Sequence, residues 1–183
     1  MRTIMLSSLA LACSLLAPLP ADAQFWDPRA LDGAPATATA PLAPRLAGLG
    51  KLNHPVTTTK NPDSQAFFAQ GMNLVYAFNH PEAVRAFRES ARLDPDNAMA
   101  WWGQALALGP NLNLPMQPEA IAPAWDSAQR ALRLRDRASS VERALIEALA
   151  TRYSKDPKAD RATLDHAYAD AMAKVAAAHP EHL

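Results

Sequence analysis

The chain repeats itself. Residues 66–74 read A-F-F-A-Q-G-M-N-L and residues 100–108 read A-W-W-G-Q-A-L-A-L, and the two runs align at a spacing of 34 residues. Ala66 meets Ala100, Phe67 meets Trp101, Phe68 meets Trp102, Gln70 meets Gln104, Gly71 meets Ala105 and Leu74 meets Leu108. A period of this length constrains the fold more than composition does. Each unit carries an apolar stripe that it cannot bury alone, and stacking neighbouring units buries a continuous core.

The punctuation between apolar runs defines six helices. Asn61-Pro62 opens the first, because Asn caps helix starts and Pro suits the first helical position; it should reach about Phe78. Pro81 opens the second and Asp94-Pro95 closes it. The third runs from near Asn97 to Gly109-Pro110, and the fourth from Pro118 to Leu134. Ser139 and Glu142 form a capping box for a fifth, ending near Tyr153, and a sixth spans about Asp160 to Ala178. No stretch alternates with period two, so no strand is expected. Half of the residues are apolar, enough for a packed core, and glycine is scarce.

The 34-residue period and its residue pattern resemble the tetratricopeptide repeat (TPR) family. In the first unit, Phe67, Gly71, Ala83, Phe87 and Pro95 fall on the motif's aromatic, small, alanine, aromatic and proline positions. Gln70 replaces a large residue and Leu74 stands in for a tyrosine. The second unit matches at Trp101, Ala105 and Leu108; its second helix is displaced by an insertion, residues 109–117, after which Ala124, Ala128 and Ala131 keep the spacing but lose the aromatic. A third unit matches only in outline, ending with Met172 and Pro180. The units span about 64–97, 98–135 and 139–180, within a helical domain of residues 61–183. The run from Tyr76 to Asn111 is also similar to a group of exported bacterial repeat proteins of undefined role. The resemblance implies an all-α fold of antiparallel helix pairs, stacked as a short right-handed superhelix, with Phe67, Gly71, Leu74, Ala83, Phe87, Pro95, Trp101, Ala105 and Leu108 as motif core. A terminal repeat needs a polar outer face, yet the sixth helix keeps Leu164, Tyr168, Met172 and Val175 on one side. The expectation is therefore a chain truncated at its C-terminus, with further TPR units beyond; the alternative is that this helix packs fully on its predecessor.

In this family the first helix of each pair lines the concave face. If Phe67 and Trp101 are core, Phe68 and Trp102 point about 100° away, towards that face. Met72, Tyr76, Met99 and Leu106 fall on the same side, with Val75 beside them. The expected concave surface is apolar and aromatic, suited to an extended peptide or an amphipathic helix. The competing expectation is that the chain covers this surface itself, through the segment from Leu46 to Val56 or through further C-terminal repeats.

The N-terminus has Arg2, an apolar run from Ile4 to Ala17, and Ala21-Asp22-Ala23 as a small-x-small site. Residues 1–23 read as a secretory signal peptide cleaved near Ala23, and the apolar run is too short to span a membrane. The protein is then periplasmic or secreted; the alternative is a lipoprotein anchored through Cys13, the only cysteine. Residues 24–60 form a Pro/Ala/Thr-rich linker, with Leu49, Leu52 and Val56 available to dock its end.

Lys plus Arg and Asp plus Glu number 18 each, so the basic excess of a nucleic-acid binder is missing. Arg85, Arg88 and Arg92 share a helix face and read as an outer surface pairing with Glu82 or Glu89. The basic run 130–137 reads as a helix end that complements its dipole. Asn111 and Asn113 read as turn formers. His54 and His80 are the metal-ligand candidates, with Glu82 nearby, although they lack a helix-face spacing, and His80 reads as a cap for the first interhelical turn. No nucleophile elbow, phosphate loop, dinucleotide fingerprint or H-E-x-x-H occurs, and no cofactor is implied. The leading expectation is an exported, non-enzymatic scaffold for a protein or peptide partner. The alternatives are an accessory domain of a larger exported protein, or a metal-dependent enzyme using His54 and His80.

Overall fold

The computed structural model describes residues 41–50 and 55–182. The expected signal peptide, residues 1–23, with Cys13, and also Leu52 and His54, lie outside the described residues. Among the described residues the fold is all-helical: α1 (Pro62–Tyr76), α2 (His80–Leu93), α3 (Ala98–Leu108), α4 (Pro118–Leu134), α5 (Ser140–Ala150) and α6 (Arg161–Ala178). Short 3₁₀ turns follow α4 and α6.

The caps explain the boundaries. The Asn61 side chain accepts from the backbone N–H of Asp63 and Ser64, and Asn97 accepts from Ala100. Asp160 accepts from Thr163, and Ser139 with Glu142 completes a capping box. Asn79 caps α2 by accepting from Glu82, so His80 does not cap this turn but occupies the first helical position. The first helix stops two residues short of Phe78, because Phe78 takes a left-handed conformation, φ 58°, and reverses the chain.

The helices form three hairpins. Helix α1 packs on α2, α3 on α4 and α5 on α6, while α2 meets α3 and α4 meets α5. The first helices of the hairpins also touch in sequence, α1 to α3 and α3 to α5. The core between them holds Phe67, Phe68, Leu74, Ala83, Val84, Phe87, Ala105, Leu108, Ile146 and Leu149, all buried. Ala120, Ala124, Ala128 and Ala131 form the buried stripe of α4, so small residues there let α4 approach α3 closely.

Two motif positions depart from the expected core. Pro95 is exposed: it turns the chain between α2 and α3, and its carbonyl accepts the Trp101 indole N–H at 2.9 Å. Trp101 is only half-buried; it lies at the edge of α3, where the Arg130 guanidinium stands 4.3 Å above its ring. An edge site satisfies the indole N–H, which the apolar core would leave unpaired.

Much of the segment before α1 is docked on the helices. Ala43 is buried. Leu42 N–H donates to Glu89 and Leu46 N–H to Gln70, whose amide in turn donates to the Pro44 carbonyl. Arg45 sits over the Phe67 ring at 5.1 Å. The segment covers the outer side of the first hairpin and satisfies Gln70, a polar side chain at an apolar motif position. Its Leu46 remains exposed.

Candidate functional site

The site is a groove along the inner helices. Helix α1 contributes Phe68, Met72, Val75 and Tyr76; α3 contributes Met99, Trp102 and Leu106. Val141 and Leu145 of α5 form the next wall, and Tyr168 and Met172 of α6 the last. The groove has a volume of about 660 Å³. All six residues expected on the concave face, Phe68, Met72, Tyr76, Met99, Trp102 and Leu106, line it.

Their depths differ. Phe68, Met72, Met99 and Trp102 are buried and form the floor, Trp102 being 8% exposed. Leu106 is half-buried, and Tyr76 is 60% exposed at the rim. Trp102 is therefore no free surface probe. Its indole N–H donates to the Leu145 carbonyl at 3.2 Å, tying α3 to α5. A second tie lies deeper, where Tyr153 donates its hydroxyl proton to the Ala105 carbonyl at 2.5 Å. Burial holds the Tyr153 hydroxyl well above its usual range, so it stays a proton donor. Burial raises Tyr168 too, while Arg152, 4.8 Å from its ring, opposes the shift.

One end of the groove is closed by the chain itself. Pro55, Val56 and Thr57 line that end with Ser139, Ser140 and Glu142. The Glu142 carboxylate is buried and accepts from Thr57 N–H at 2.7 Å, Ser139 N–H at 2.9 Å and Ser139 Oγ at 2.9 Å. Thr57 Oγ1 donates to it as well. Of the described residues between Leu46 and Val56, Pro55 and Val56 line the groove. The T-T-T run carried this information as a cluster of side-chain hydroxyls just before a helix cap, but its partners are too distant in sequence to be named from it.

The remaining candidates lie elsewhere. His80 is buried at the α1–α2 turn, with its ring 6.1 Å from Phe78. Desolvation lowers its pKa, against a raising hydrogen bond to the Phe78 backbone. Among the described residues no three His, Cys, Asp or Glu side chains group as metal ligands. Arg85 pairs with Glu82 at 3.5 Å, and Arg92 with Glu89 at 2.6 Å. Glu89 is buried, so that pair is not the fully solvated one expected; Arg92 holds its carboxyl below the usual range. At the end of α4, Arg135 donates to the Leu132 carbonyl, while Arg137 pairs with Asp96 at the start of the second hairpin. The Asn111 side chain accepts from Asn113 and Leu114 N–H, closing its own turn and leaving Leu112 95% exposed.

No described helix is long and apolar enough to cross a membrane. No family model, curated protein or solved structure matches the chain. Fold and site together define an all-helical protein of stacked hairpins with an apolar groove along its inner helices.

Proposed function

We propose that this chain is an exported TPR scaffold, a short right-handed superhelix whose concave groove takes an apolar segment of a protein partner. The observation that carries this reading is the convergence of two sequence repeats on one surface. Phe68 and Met72 of the first unit and Trp102 and Leu106 of the second line the same groove, in register with the 34-residue period. From Phe68 to Tyr76 the groove follows roughly 12 Å of helix, at 1.5 Å per residue. That length suits two turns of a partner helix or about four extended residues. Met72, Met99 and Met172 bring flexible thioethers that adapt to differing side chains.

Tyr76 is the residue to change. It is exposed, so Tyr76→Ala should leave stability within about 0.5 kcal/mol. The test is an array of apolar peptides probed with the mature protein. Tyr76→Ala should weaken the best binders by about tenfold, as for an aromatic anchor at an interface. Equal binding by the wild type, Tyr76→Ala and Met72→Glu would reject the groove as the binding surface.

A second reading makes the chain an accessory unit of a longer helical array. It is favoured by the outer side of the third hairpin, where Ala144, Ala148, Ala167, Ala171 and Val175, flanked by Glu147, Asp170 and Lys174, line a shallow, open groove that another helix pair would fit.

A further inference from the structure

Three consecutive threonines reach the starts of three different helices. Thr59 Oγ1 accepts from the N–H of Asn61, the cap of α1, and donates to Asp94, the residue that ends α2. Thr58 is buried; its hydroxyl donates to Asn97, the cap of α3, at 2.6 Å and accepts from Met99 N–H at 3.3 Å. Thr57 accepts from the N–H of Ser139, the cap of α5, at 3.0 Å and donates to Glu142 of the same capping box. From Thr57 to Thr59 the strap meets α5, then α3, then α1, the reverse of the helices' order along the chain. Val56 N–H adds a bond to Gln65 of α1 at 2.9 Å.

We propose that this strap is a latch that sets the spacing of the inner helices, and so the width of the groove. Thr57 and Glu142 act as positioning residues. The inference rests on the groove being the binding surface. The physical reason is the uneven attachment of the third hairpin. The first two hairpins share the extensive packing of α2 on α3, whereas α5 meets α3 and α4 by more modest packing, aided by the Trp102–Leu145 and Tyr153–Ala105 bonds. Thr57 is bonded 85 residues away in sequence, at the one end of α5 that those two ties leave unheld. Its partner is a buried carboxylate whose other donors all belong to Ser139. Bonds to a buried charge are the stronger kind, and the hydroxyl both donates and accepts at this junction.

The test uses the full mature chain with Thr57→Val, which keeps the shape and removes the hydroxyl, and Thr57→Ser, which restores it. Amide hydrogen exchange is read at Leu145–Leu149 of α5 and, as an internal control, at Val84–Glu89 of α2. Thr57→Val should speed exchange in α5 by about tenfold with α2 unchanged, and Thr57→Ser should return the α5 rates to wild type. The affinity of 1-anilinonaphthalene-8-sulfonate for the groove should fall severalfold in Thr57→Val, because the site is no longer pre-organised. Glu142→Gln, which keeps the side chain's size, should reproduce the α5 effect. Unchanged α5 exchange in Thr57→Val, or equal acceleration in α5 and α2, overturns the latch. If the dye binds wild type and Tyr76→Ala alike, the groove reading fails, and the exchange rates still decide the latch.

Discussion

Gly71 and Phe87 are in such close contact that a Cβ placed on the glycine would stand 2.6 Å from the ring carbon Cε1. The same ring atoms meet Gly103 of α3 at least as tightly. The ring of α2 thus lies between glycine backbones of α1 and α3, and Phe87 is fully buried. Alanine at Gly103 would gain about 1 kcal/mol of helix propensity. It would force the ring aside at a cost of about 1–3 kcal/mol. The expected net is a loss of stability of up to about 2 kcal/mol, for either glycine, read from urea midpoints. A stabilised Gly103→Ala would mean that the ring has room to move.

The adjacent tryptophans should respond differently. Trp102 fills the groove floor and donates to Leu145, so Trp102→Ala should cost about 3–5 kcal/mol. Trp101 is held at the edge by the Pro95 carbonyl and Arg130, contacts worth about 1 kcal/mol each at a half-exposed site. Trp101→Ala should therefore cost markedly less, about 1–2 kcal/mol, by the same urea titration. Iodide quenching checks the same difference: removing Trp101 with phenylalanine should take away an accessible emitter, and removing Trp102 a shielded one.

These two residues also mark what the sequence carries. Helix boundaries were legible because each cap is local: Asn61, Asn97, Ser139 and Asp160 bond groups within four residues. The period made Phe68 and Trp102 equivalent positions, and the resemblance to the repeat family implied that their side lines the concave face. The exchange of roles between Trp101 and Trp102 was not. It depends on Leu145 and Arg130, residues 43 and 29 positions away. Gly103 was passed over for the same reason: the repeat pairs Gly71 with Ala105, whereas the close approach on α3 is one half-turn earlier. The Pro/Ala/Thr composition suggested a linker docked at its end through apolar residues such as Val56, yet Ala43 and the three threonines dock as well. Composition records the lack of large apolar residues, not the backbone and hydroxyl groups that the helix ends can use.

Two buried groups give stability a defined acid limb. Burial lowers the His80 pKa, so at neutral pH both folded and unfolded chains hold it uncharged. As pH falls below the unfolded value of about 6.5, the unfolded chain takes up a proton first and stability drops. Glu89 is also lowered, chiefly by Arg92, so its contribution is present above the ordinary carboxylate range and is lost as pH falls through its folded pKa. The two losses share a direction and occupy separate windows. Urea midpoints should decline below about pH 6.5 and again below about pH 4.5. His80→Gln should flatten the upper step and leave the lower one; an unaltered upper step would assign it elsewhere.

The last expectation concerns Asn97, which is wholly buried and serves two structures at once. Its oxygen caps α3 through Ala100 N–H and accepts from Thr58, while its amide donates to Ser64 at 3.0 Å and Ser90 at 3.3 Å. The two serines also bond each other, with Ser64 Oγ reaching the Ser90 carbonyl and Ser90 Oγ the Ser64 carbonyl. Those reciprocal bonds survive Asn97→Ala, so the serines keep partners. Thr58 does not fare as well, because its proton loses the acceptor it has among the described residues. The loss of a cap, about 1 kcal/mol, and one stranded buried hydroxyl, about 1–3 kcal/mol, should add to roughly 2–4 kcal/mol. Thr58→Val in the Asn97→Ala background should then cost far less than in the wild type, since the hydroxyl is already unpaired. A double-mutant cycle by urea denaturation measures this coupling, and full additivity would show that Thr58 and Asn97 do not stabilise one another.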